Sequence, residues 1–153
     1  MMSGIIIRKV FSRATELRGD TVNLLEYYRD TIDNNHFVVY NGIKICDIEK
    51  DRCVAMLDMT ENSENFNGVA HGGVLFTMGD VCAGMTARSD LRKYVTINAD
   101  VHFLKPAKRG SRLTCVGTVV NRGRRTCLLN IDITDGEGTL VFTGRYTFYC
   151  VSE

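Results

Sequence analysis

A single proline, no tryptophan and three histidines stand in this chain, and each scarcity removes a class of explanation. With only Pro106 to interrupt it, the chain has no polyproline linker, and its helices and strands are free to run long. Six cysteines, at 46, 53, 82, 115, 127 and 150, form no C-x-x-C pair, and with so few histidines no metal site is expected. Those thiols read as small buried apolar residues of a reduced compartment. The apolar run at Ile5, Ile6 and Ile7 falls far short of the roughly 20 residues a bilayer demands, so no membrane insertion is expected. Charge of one sign is lacking too. Nineteen basic residues against 18 acidic ones leave a net charge of +1, which gives no field for nucleic acid and leaves anion binding to local clusters.

What is present centres on residues 65–89. After Gly72 and Gly73 the apolar residues Val74, Leu75, Met78, Val81, Cys82 and Met85 recur at helical spacing, with small residues between them. A helix from about Gly72 to Ser89 therefore has almost no polar face and should be buried nearly all round. Asp80 is the exception. A buried carboxylate costs several kcal/mol unless it is bonded, so it either satisfies itself on a nearby hydroxyl or arginine or has chemistry to do. The helix start offers a second resource, amides without internal partners at the positive end of the macrodipole, with Gly72 and Gly73 permitting close approach. Taken alone, the glycine pair could equally be a tight loop, and His71 a cap or a packed ring rather than a group that moves protons.

The remainder reads as sheet. The length predicts one domain over 1–153, in which residues 1–34 form an N-terminal extension and helix packed on the rest. That helix spans Asp20 to Ile32, capped by Asp20 or Thr21 and stopped by Asn34 and Asn35. Strands follow at Phe37–Tyr40, Ile43–Cys46 and Cys53–Met59. Val95, Ile97, Ala99, Val101 and Phe103 alternate with polar residues in the clearest strand, and Leu113–Val120, Thr126–Ile133 and Leu140–Val151 complete the set. Asn121–Arg124 and Asp135–Gly138 read as hairpin turns. One buried helix with about six mostly antiparallel strands is an α+β layer architecture. Arg8, Lys9, Arg13 and Arg18 against Glu16 leave two addresses open, cytoplasmic and mitochondrial. Lys105, Lys108 and Arg109 form one basic loop and Arg122, Arg124 and Arg125 another; each is either solvated turn charge or a phosphate site.

The pattern Asn65-x-x-Gly68-x-x-His71-Gly72-Gly73-x6-Asp80 resembles the signature of the hotdog-fold acyl-CoA thioesterases of the phenylacetate-pathway type, which includes the human thioesterase-superfamily members. The similarity continues through Val95–Asn98 and Phe103–Ala107 and covers about residues 35 to 150. It implies a hotdog fold, an antiparallel six-stranded sheet wrapped around one long central helix. It also implies hydrolysis of an acyl- or aroyl-CoA to free acid and coenzyme A with no cofactor. The resemblance further implies a homodimer at least, extending to a tetramer, in which each site uses Gly72 of one subunit and Asp80 of the other. The Gly72 N–H would polarise the thioester carbonyl, Asp80 would act as general base or nucleophile, and Asn65 would position water or substrate. His71 would hold the loop or meet the sulfur side, Thr96 would place a hydroxyl near the carboxylate, and Gly73 with the basic loops would bind substrate. Two other classes stay open. A hotdog dehydratase of 3-hydroxyacyl thioesters would carry a His-Phe-Pro-Gly loop, which is absent, and a module that binds acyl-CoA without turnover would lack the acid.

Overall fold

The computed structural model describes residues 22–152. The basic opening, its expected docking on the domain and the expected caps Asp20 and Thr21 lie outside the described residues. The first helix of the described residues, α1 (Leu24–Asp33), starts after Asn23, whose side-chain oxygen accepts the Glu26 N–H at 3.1 Å. An asparagine in extended backbone is as good a cap as the aspartate expected upstream, and its position sets the start. Leu24 and Tyr28 face the core, and the Tyr28 hydroxyl donates to the Arg88 carbonyl at 2.9 Å.

Phe37–Tyr40 is not a strand. It belongs to a short helix, α2 (His36–Tyr40), which begins where Asn35 accepts the Val38 N–H at 3.3 Å. A local side-chain cap outweighs the β propensity of Val38 and Val39, and four residues are too few for periodicity to decide. The chain then turns at Gly42, whose φ of 70° favours glycine, into the sheet.

Six strands follow: β1 (Lys44–Glu49), β2 (Arg52–Asp58), β3 (Tyr94–Phe103), β4 (Arg112–Arg122), β5 (Thr126–Thr134) and β6 (Leu140–Cys150). They form one antiparallel sheet in the order β1-β2-β4-β5-β6-β3. Alternate residues of the inner strands are buried, as a sheet with one covered face requires: Cys53, Ala55 and Leu57; Leu113 and Cys115; Leu129, Ile131 and Ile133; Phe142, Tyr146 and Phe148. Across that face lies α3 (Gly72–Ala87), continued by a 3-10 turn at Arg88–Asp90. This is the hotdog fold, an α+β architecture with one long helix held in a wrapped sheet. Each fully buried Leu, Ile or Phe in the seam contributes about 1.5–3 kcal/mol.

The helix is not buried all round. Leu75, Met78, Gly79, Cys82, Ala83, Met85 and Thr86 are covered, whereas Gly73, Phe76, Thr77, Asp80, Val81 and Gly84 keep some exposure. Phe76 is 39% exposed, and on the neighbouring edge strand Val95 and Ile97 are 48% and 57% exposed. The sheet of one chain thus leaves part of α3 and apolar residues of its edge strand open. Five cysteines are buried, but Cys46 is exposed on β1, contrary to the reading of all six as core.

Strict alternation along β3 would put Thr96 on the same face as Asn98, Asp100 and His102. A bulge between Thr96 and Asn98 changes that parity. Thr96 pairs with the buried Phe148, and beyond the bulge Ala99, Val101 and Phe103 pair with Tyr146, Gly144 and Phe142, so all four share the helix side.

Close packing of α3 on β6 depends on Gly79. A Cβ there would lie 2.7 Å from the Tyr146 hydroxyl and 3.2 Å from Phe142. That hydroxyl is buried and has no hydrogen-bond partner among the described residues. Alanine at 79 gains up to about 1 kcal/mol of helix propensity but must displace a packed ring, which costs about 1–3 kcal/mol. Gly79→Ala is expected to lower the urea midpoint, Tyr146→Phe to leave it unchanged or raise it, and the double variant to recover most of the loss. Equal losses for Gly79→Ala in both backgrounds would show that the hydroxyl is not the obstacle.

Candidate active site

Between the 3-10 turn Glu61–Ser63 and α3 runs a loop that Asn65 organises. Its side-chain oxygen accepts the N–H groups of Asn67 at 2.8 Å and Val69 at 3.4 Å, and its backbone bonds Val69 and Gly68. Gly68 closes the turn with a φ of 70°. The carbonyl oxygen of Asn65 is thus spent on the loop, while its amide nitrogen has no partner among the described residues. Ala70 N–H donates to Ala107 at 2.8 Å and His71 N–H to Ser63 at 2.8 Å, which anchor the loop to its neighbours.

His71 is the N-cap of α3, with extended backbone (φ −65°, ψ 133°), and its Nδ1 accepts the Gly73 N–H at 2.9 Å. The ring is a cap, and in the neutral tautomer that accepts at Nδ1 the proton sits on Nε2. The next two amides, Val74 and Leu75, donate to the His71 carbonyl at 2.9 and 3.2 Å. Only the Gly72 N–H of the first turn has no partner among the described residues. Phe103 packs beside it, its ring 3.3 Å from where a Gly72 Cβ would stand. Gly72 and Asn65 line an open groove of about 330 Å³ together with Phe103 and Lys105.

Asp80 lies two helical turns further on. Its Oδ1 accepts the Thr96 hydroxyl at 2.8 Å, the contact made available by the β3 bulge. Tyr146 is near enough that the carboxylate, after burial itself, raises the pKa of its hydroxyl well above the ordinary tyrosine value. Asp80 and Thr96 line a different cavity, of about 420 Å³, which also takes in Gly84, Met85 and Arg88. The separation of Asp80 from Gly72, eight residues, is about 12 Å along the axis.

The basic residues divide. Lys105, Lys108 and Arg109 are exposed near the Gly72 end, and Arg109 grips Glu64 with both prongs, at 2.5 and 2.7 Å, holding that carboxyl below its ordinary pKa. Arg124 and Arg125 are exposed at the other end of α3. Arg122 is no phosphate ligand: it is still within β4, and its guanidinium turns inward to Asp51, Asp90, Ser89 and the carbonyls of Thr86 and Ala87. It closes the C-terminal end of α3, where the last carbonyls need donors. Burial pushes the Asp90 carboxyl up, but bonds from Arg92 and Tyr94 and the nearby charge of Arg122 outweigh it and hold the net value low. Among the described residues no group of three His, Cys, Asp or Glu side chains could hold a metal, and no helix is long and apolar enough to cross a membrane.

A family model of the thioesterase superfamily matches residues 67–142, the span that holds Gly72, Asp80 and Thr96. The acyl-coenzyme A thioesterase PaaI of Escherichia coli is 30% identical over 108 residues, covering 68% of this chain and 76% of that protein. The chain belongs to the thioesterase superfamily. It is a PaaI-type thioester hydrolase. The solved structure of E. coli PaaI superposes with a TM-score of 0.82 at 22% identity, over 85% of this chain and 94% of that one, which supports the fold. A hypothetical thioesterase from Streptococcus pneumoniae, solved with coenzyme A, has a TM-score of 0.70 at 32% identity over 72% of this chain and 90% of its own. That protein has also been solved with an aspartate or a threonine replaced by alanine, the two lying as far apart in sequence as Asp80 and Thr96.

His71→Ala would leave the Gly73 amide without its cap. A stability loss of about 1 kcal/mol in urea unfolding is expected, with His71→Asn restoring most of it, since asparagine is the stronger cap residue. An unchanged midpoint in His71→Ala would show that the cap carries no stability.

Proposed function

We propose that this thioester hydrolase acts on acyl- or aroyl-CoA, with Asp80 as general base or nucleophile and the Gly72 amide as oxyanion donor. One observation carries the reading: a single helix holds a carboxylate and an amide without a partner among the described residues, about 12 Å apart along the axis, each lining a different cavity. One thioester carbon cannot meet both groups of the same chain. Phe76 on α3 and Val95 and Ile97 on the edge strand are exposed apolar residues beside which a second copy would bring the missing half. In a two-fold dimer each site then takes Gly72 from one protomer and Asp80 from the other.

In that arrangement the thioester carbonyl accepts the Gly72 N–H, which has no partner among the described residues and so is available for the developing charge. Asp80, steadied on one oxygen by Thr96, uses the other to take a proton from water, or attacks the carbonyl itself. The thiolate of coenzyme A leaves readily, so no further acid is demanded. Asn65 would place water or substrate with its amide nitrogen, since its oxygen is occupied. His71 serves by holding the Gly72–Gly73 turn, and Gly73 lines the approach to it. The phosphates of coenzyme A would find Lys105, Lys108 and Arg109 at the Gly72 end or Arg124 and Arg125 at the other. The described fold and the packing of α1 on it fit one domain, and the composition fits a cytoplasmic protein, with a mitochondrial address as the alternative. A tetramer would pair two such dimers.

Asp80→Asn is expected to lower turnover by at least about 10²-fold in a thiol-release assay on an acyl-CoA panel, the usual worth of a placed acid or base, with the fold retained. Gly72→Pro should cost about 10² to 10³, the worth of one oxyanion donor. Proline fits there: it opens a helix, His71 already has the extended backbone that precedes proline, and the half-exposed Phe103 can swing aside. Co-refolding the two inactive variants should restore activity toward about one quarter of wild type, because half of randomly mixed dimers carry one intact site of two. Mixed dimers shown by mass spectrometry to form without recovering activity would mean that the two groups do not share a site.

A further inference from the structure

The cavity beside Asp80 has a second charged group at its far end. Asp80, Gly84 and Arg88 succeed one another at four-residue spacing and so lie near one another along one face, the Arg88 backbone about 12 Å further along the axis than that of Asp80. Gly84 between them leaves the floor open: a Cβ there would be 3.7 Å from its nearest neighbour, the Phe148 ring. Arg88 is half-buried, yet its guanidinium has one hydrogen bond, to the Tyr94 carbonyl at 3.2 Å, and no carboxylate partner among the described residues. Two other partly buried arginines at this end of the fold, Arg92 and Arg122, both bond Asp90. A partly desolvated guanidinium with unused donors is costly and favours an anion. Thr31 and Asn35, at the end of α1 and the start of α2, join the same wall and add neutral polar groups, while Ile32, Val38 and Met85 line the cavity with apolar surface.

We propose that this cavity receives the acyl group and that Arg88 selects acyl chains ending in a carboxylate, so that the substrate class is the monothioester of a dicarboxylic acid with coenzyme A. The inference rests on the thioesterase reading with Asp80 at the reacting carbon. From there an extended acyl chain of medium length runs over Gly84, between apolar walls, to a terminal carboxylate held by the Arg88 fork and by the Thr31 and Asn35 side chains. The wall contributed by α1 and α2 lies outside residues 67–142, whereas Arg88 lies within them on the helix that carries Asp80.

The test compares suberoyl-CoA with octanoyl-CoA, equal in chain length and different in the terminal group, on the full-length protein. The ratio of their kcat/KM values is measured in wild type, Arg88→Met and Arg88→Lys, and dissociation constants for both are measured with Asp80→Asn protein. Wild type should favour suberoyl-CoA by about 10- to 100-fold, the worth of a charge-assisted pair. Arg88→Met should lose that preference while keeping octanoyl-CoA turnover within about twofold, and Arg88→Lys should keep part of it, because the charge remains and the fork does not. A wild type that handles octanoyl-CoA equally well or better, or an Arg88→Met variant that loses both substrates in parallel, overturns the proposal while thioester hydrolysis stands. If no acyl-CoA is turned over at all, the thioesterase reading is what fails. The dissociation constants still decide this proposal: a tenfold preference for suberoyl-CoA supports it and equal binding overturns it.

Discussion

A helix with no polar face must be covered on every side, and the curved sheet of one chain reaches only part of the way round α3. On the covered side the fit is close enough to dictate residues. Gly79 is small because the Tyr146 hydroxyl stands where its Cβ would be, and Gly117 is small because it faces Thr86. Thr86 in turn spends its hydroxyl on the Cys82 carbonyl at 2.8 Å, which lets a polar residue sit fully buried. On the uncovered side the residues are Phe76, Thr77, Asp80, Val81 and Gly84, two of them large and apolar and one charged. Surface of that composition, with Val95 and Ile97 also exposed on β3, is of the kind that suits an apolar partner. The uncovered face also carries the carboxylate, so the second copy proposed above would meet the chain at Asp80.

The main architecture is legible in the sequence because it rests on long patterns. The apolar recurrence from Val74 to Met85 and the strands from residue 94 onward each supply enough residues for a period to declare itself. The residues of the candidate site are legible for another reason: Asn65, Gly68, His71, Gly72, Gly73 and Asp80 stand at fixed spacing, and several of them serve the local backbone. Asn65 bonds the loop, Gly68 takes a positive φ, and His71 caps the helix. A site built from loop geometry leaves a sequence signature even before its chemistry is known.

What escaped the sequence depended on local competition or on contacts between distant segments. Phe37–Tyr40 has strand propensity, but Asn35 caps it into a helix, and no window of four residues can weigh those two. The bulge in β3 inserts one residue and reverses the face of Thr96, a change invisible to alternation because the residue types on both sides of it still alternate. Arg122 sits in a basic cluster with Arg124 and Arg125, yet it alone turns inward, because Asp51 and Asp90, 71 and 32 residues away, supply its partners. Composition cannot distinguish a solvated arginine from a buried one.

The glycine doublet at the start of α3 illustrates how these levels combine. A helix of this length leaves its first amides without internal partners, and an exposed terminus would normally give them to water. Here the His71 ring takes the Gly73 amide, and the His71 carbonyl takes those of Val74 and Leu75, so the Gly72 amide is left without a partner among the described residues. Both glycines are needed for that outcome. A Cβ on Gly73 would stand 3.0 Å from the Nδ1 that caps it, and one on Gly72 would crowd the Phe103 ring that walls the groove. Removing either space would shift the ring or the cap and redistribute the amides. Among the described residues the chain therefore isolates one polarised N–H by satisfying its neighbours, and it does so at the N-terminal end of α3, two turns before Asp80.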